Sequence, residues 1–64
     1  MNEWTEAYGF VNDLMVERAA FQQALTRLHS VEAEAICYGR IQTLTAMIDA
    51  TTAGLEALEG VETA

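Results

Sequence analysis

Proline and lysine are both absent, and the 64 residues include one cysteine and one histidine. Each shortage closes a class of explanation. Without proline, no position is compelled to break a helix. Three arginines (Arg18, Arg27, Arg40) face ten carboxylates, for a formal net charge of −7. Phosphate contacts need clustered Lys or Arg, so direct binding to nucleic acid is not expected. An anionic membrane surface is disfavoured on the same ground. Cys37 has no second cysteine to pair with, so nothing implies an oxidising compartment.

Chemistry-bearing clusters are missing as well. His29 has no His or Cys at metal-ligand spacing, so neither a metal nor a catalytic role is expected, and a solvated helix-end cap accounts for it. Glu3, Glu6, Glu32, Glu34, Glu56, Glu59 and Glu62 are spread over helix ends. A working acid–base pair would need an enclosed site to separate its pKa values. The four glycines stand singly, which rules out a glycine-rich phosphate cradle. No enzyme activity and no cofactor are expected. The start, "MNEWTEAYGF", has acids where a secretory signal needs a basic region. The least charged stretch, residues 41–55, is too short to span a bilayer and contains Asp49. A soluble cytoplasmic protein is the default.

What is plentiful is apolar surface, at 52% of residues. That is too much for a disordered acidic tail. Counting in sevens from Trp4 as position a, the a and d places are Trp4, Ala7, Val11, Leu14, Arg18, Phe21, Leu25 and Leu28, all apolar except Arg18. This spacing predicts a helix over about 3–28, with Asn2 as N-cap and Glu3 and Glu6 near the positive end of its dipole. A second run, Cys37, Ile41, Leu44, Ile48, Thr51, Leu55 and Leu58, keeps the same spacing from a different origin. It predicts a helix over about 31–59, with Gly60 as a cap and 60–64 as a frayed tail.

Between the two lies "LTRLHSVEAEA". Arg27 and His29 suit the carbonyl end of one helix, Ser30 suits the N-cap of the next, and Glu32 and Glu34 suit its first turn. A reversal of two or three residues at about 29–30 is predicted, and one continuous helix with a register slip is the rival. The resulting fold is all-α: a single-domain antiparallel hairpin in which Glu17 faces Arg40 and Val11 meets Ile48. Arg18, on the seam, either pairs with a carboxylate or lays its stem along the seam with its head in water. Cys37 reads as a small buried hydrophobe; Arg40 one turn away keeps a reactive thiol in view.

One seam leaves too much apolar surface outside it. Phe10, Val16, Gly39, Ala46, Met47 and Gly54 fall at f or g, where a stable monomer would carry polar groups. Ordering costs about 1.5 kcal/mol per residue, and a single seam does not offset that. A two-fold dimer forming a four-helix bundle is the usual remedy. Leu14, Phe21, Ile41, Leu44, Met47, Ile48 and Leu55 are its candidate core. Trp4, Tyr8, Phe10 and Val16 are candidate anchors for a partner protein, since exposed aromatics favour interfaces. The acidity suits a basic partner, or serves solubility alone.

The outline "LTRLHSVEAEAICYGRIQTL", with Ala35-Ile36-Cys37 early in the second helix, resembles the repressor-of-primer hairpins of plasmids. That resemblance implies a homodimeric bundle binding paired RNA loops. The first helix departs from the pattern: Glu3, Glu6, Asp13 and Glu17 stand where that family relies on basic and polar residues. Size, acidity, the hairpin around Ser30 and the apolar residues near Phe10 also resemble phage-encoded quorum-sensing anti-activators. This second resemblance implies an inhibitor that blocks the DNA-binding domain of a LuxR-type host regulator, acting in the host cytoplasm. A structural or assembly protein is a third reading.

Overall fold

The structure, a computed structural model, describes the backbone of residues 3–63 and the side chains of residues 5–60. It contains two helices, α1 (Glu3–Leu25) and α2 (Val31–Thr63), packed against each other as an antiparallel hairpin. Among the described residues there is no strand. The expected N-cap, Asn2, lies outside the described residues.

The hairpin seam follows the heptad pattern closely. Val11, Leu14, Cys37, Leu44, Ile48 and Leu55 are buried, and Ala7, Arg18, Phe21, Leu25, Leu28, Ile41 and Thr51 are half-buried. All of these are a or d positions. Leu58 is the exception at 57% exposed. The second helix has 33 residues against 23 in the first, so its last turns run past the start of α1 and the seam has no second wall there.

The reversal differs from expectation in a specific way. The first helix ends at Leu25, not at Leu28, and residues 26–30 form a five-residue connection. Amides of Thr26, Arg27 and Leu28 donate to the carbonyls of Gln23, Ala24 and Leu25 at 3.2, 2.9 and 3.4 Å. This tightening into i→i−3 bonds satisfies the last carbonyls without a left-handed residue, and no glycine has a positive φ. The Thr26 hydroxyl also donates to the Gln23 carbonyl at 2.7 Å. Arg27 and His29 therefore sit in the connection, and the last turn of α1 holds no basic residue. Leu28 keeps its seam burial from a non-helical position, which is why its apolar spacing mimicked a longer helix.

Ser30 caps α2 as expected. Its hydroxyl accepts from the Ala33 amide at 3.2 Å, and its carbonyl accepts from the Glu34 amide at 2.9 Å. Glu32 and Glu34 occupy the first turn, near the positive end of the dipole. At the other end the helix runs to Thr63, through the stretch expected to fray. Gly60 is inside the helix and does not cap it. One helical glycine costs about 1 kcal/mol relative to alanine, too little to stop a helix otherwise built of Glu, Ala and Leu.

The hairpin is a rod of 51 × 20 × 12 Å with a radius of gyration of 15.1 Å. A compact chain of this length would have a radius near 11 Å. Its surface is 4837 Å², against roughly 4,000 Å² for a compact monomer of the same mass. The excess follows from the elongated shape, which exposes more area per residue than a compact fold.

Candidate interaction surface

Two lateral faces flank the seam, and they are built differently. In an antiparallel pair, the e positions of both helices share one side and the g positions share the other. On the e side, polar groups bridge the helices. The Tyr8 hydroxyl donates to Glu59 Oε1 at 2.7 Å. Acceptance of that proton's hydrogen bond by Glu59, aided by burial and the negative charges of Glu59 and Glu56, raises the Tyr8 pKa above its ordinary value. Arg18 Nη1 donates to Thr45 Oγ1 at 3.1 Å.

That contact resolves the seam arginine. Its stem lies half-buried in the seam, as one of the two expectations held. Its head ends on the Thr45 hydroxyl, neither paired with a carboxylate nor left to water alone. A helical side chain leans toward its own N-terminus, so Arg18 reaches one turn toward the open end of the hairpin. Glu17 and Arg40, expected to face each other, are both exposed and lie on the other side of the seam.

The g side has no such polar closure. Near the connection it holds an open apolar groove of about 270 Å³, lined by Phe21, Ala24, Leu28, Ala33, Ile36 and Cys37. Small side chains at the g positions Ala24 and Ala33 leave this space, and Ile36 stands exposed at its rim. Cys37 closes the floor: it is buried, and its thiol donates to the Phe21 carbonyl at 3.1 Å. Further along the same side, Phe10 (50% exposed) and Met47 (41% exposed) are uncovered, as are Glu17 and Arg40 between them.

The candidate anchors do not converge on one patch. Tyr8 is exposed on the e side and tied to Glu59, Phe10 is on the g side, and Val16 is on the back of α1, 63% exposed. The side chain of Trp4 lies outside the described residues. Of the candidate dimer-core residues, Leu14, Leu44, Ile48 and Leu55 are buried inside the single hairpin, Phe21 and Ile41 are half-buried there, and Met47 faces outward. The first six therefore build the hairpin itself, and Met47 alone of the set is free to meet another chain.

Residues the periodicity did not single out are Val31, Ile36 and Tyr38, all exposed. Their signal in the sequence is apolar character at off-seam positions of the second helix. The backs of both helices are also open. A methyl group added at Gly9, Gly39, Gly54 or Gly60 would meet no atom within 4 Å, so there is open space where each Cβ would stand. Among the described residues, no group of His, Cys, Asp or Glu is placed to hold a metal ion. No helix there is long and apolar enough to cross a membrane. The chain matches no protein-family model, no curated protein and no solved structure.

Proposed function

We propose that the chain is a small protein-binding inhibitor acting as a homodimer of hairpins. In this reading it is a phage-encoded host-takeover factor that blocks the DNA-binding domain of a LuxR-type host regulator in the host cytoplasm. The observation that carries it is the surface itself. Nine large apolar or aromatic side chains stand exposed among the described residues, on a chain with a net charge of −7. Negative charge accelerates encounter with a basic domain, and apolar anchors then slow dissociation. Exposed apolar surface of this extent marks an interaction site in proteins that stay dissolved. An RNA-binding hairpin would need cationic side chains along a helix, and α1 has Arg18 alone, committed to Thr45.

The test is direct. Added in excess to a purified LuxR-type regulator bound to its operator, the protein is expected to release the DNA. Val16→Asp is expected to abolish that release while helix content and self-association stay unchanged, because Val16 sits on the back of α1, away from the seam. A regulator that stays on its operator at saturating protein sinks this function. Binding to structured RNA with a steep salt dependence would replace it with the plasmid-type reading. Assembly well beyond a dimer would replace it with a structural one.

A further inference from the structure

The geometry points to the g side of the hairpin as the face that takes a second copy of this chain, aligned open end to open end. This rests on the dimer reading above and names the face, the alignment and the contacts. The pattern on that face is the reason. In an antiparallel pair the seven-residue repeat matches the g positions as Phe10 with Met47, Glu17 with Arg40, and Ala24 with Ala33. The groove lined by both Ala24 and Ala33 bears out the third pair. From the open end, the face therefore reads as an apolar rung, an acid–base rung and a shallow apolar rung.

That order is complementary to itself under one symmetry operation. A two-fold axis parallel to the helices sets Phe10 on the partner's Met47 and Glu17 on the partner's Arg40. Ala24 then lies over the partner's Ala33, so the grooves close against each other. Each helix meets an antiparallel neighbour, as in ordinary four-helix bundles. Glu17 and Arg40 of both copies alternate in sign around a square. A two-fold axis running across the helices would instead stack Glu17 on the partner's Glu17 and Arg40 on the partner's Arg40, which is penalised. The e side also exposes apolar residues, Met15, Val31 and Tyr38, but it has no acid–base rung to answer itself under such an axis, and its Arg18, Thr45 and Tyr8 are already committed within the chain.

The experiment is a charge swap read by sedimentation equilibrium. Glu17 and Arg40 are exposed, so E17R and R40E are expected to keep wild-type helicity. Each variant alone puts four like charges at the centre of the interface, and about tenfold weaker dimerisation is expected. An equimolar mixture is expected to regain wild-type affinity, since E17R complements R40E only between chains. If the wild type dimerises but the mixture gains nothing over the separate variants, this face is wrong while the dimer stands. A wild type that remains monomeric at millimolar concentration removes both. Alignment is read in a C37S background. E17C mixed with R40C is expected to form the mixed disulfide, whereas rapid self-linking of E17C alone would overturn the open-end alignment.

Discussion

Ile48 and Met47 are neighbours in the chain with opposite fates, and truncating each to alanine measures what the seam contributes. Ile48 is 4% exposed at the centre of the cluster formed with Val11, Leu14, Leu44 and Leu55, whereas Met47 is 41% exposed. Truncating a buried Ile costs about 2–5 kcal/mol, depending on how far the site collapses. A seam only two helices thick can close part of the void, so the lower half applies, about 2–3 kcal/mol. Alanine is the better helix former, by a few tenths of a kcal/mol, so this figure already includes a small opposing gain. In a domain of this size, each kcal/mol moves the melting temperature by roughly 4–8 °C. Ile48→Ala is thus expected to lower it by about 10–20 °C. Met47→Ala should change it by a few degrees at protein concentrations too low for self-association. Urea unfolding followed by far-ultraviolet circular dichroism, with unchanged m-values, supplies both numbers. Equal losses at the two positions, or a loss under about 1 kcal/mol for Ile48→Ala, would refute the hairpin seam as drawn.

Three further predictions probe other parts of the hairpin. Ser30→Ala removes the hydroxyl that accepts from the Ala33 amide and is expected to cost about 1 kcal/mol in unfolding free energy, with Ser30→Asp close to wild type. Because the folded pKa of Tyr8 is raised, its link to Glu59 contributes stability in full below the unfolded tyrosine value and loses it as pH rises through the folded one. The alkaline ultraviolet titration of Tyr8→Phe should therefore lack the later-ionising phenol that the wild type shows, and identical midpoints would contradict the bond. Gly39→Ala fills open space on the back of α2, so thermal unfolding should show a gain of about 1 kcal/mol. A loss of self-association in that variant would place a second chain on the back of α2.

The seam was legible in the sequence because a strict seven-residue repeat fixes which side of a helix is apolar, and the buried set from Val11 to Leu55 follows it. Ser30 was legible because a hydroxyl followed by acids satisfies the free amides of a helix start. The end of α1 was not: Thr26, Arg27 and Leu28 carry the same apolar spacing whether the turn is helical or tightened, and tertiary closure of the hairpin decides between them. Leu58 obeyed the repeat but lost its partner because the two helices differ in length. The lateral faces depended on that closure too. The Tyr8–Glu59 bond joins residues 51 apart, and the groove beside Cys37 exists only because two alanines meet across the helices. The exposed residues Phe10 and Val16 could be foreseen as off-seam, but their separation onto different sides became visible only with the fold.

Sedimentation equilibrium on the unmodified chain, from low micromolar to millimolar concentration, tests the central claim that the uncovered apolar sides of this rod exist to be covered by protein. A mass that rises to twice that of one chain and then holds is the predicted result. A single-chain mass over the whole range, with helix content intact, would contradict it.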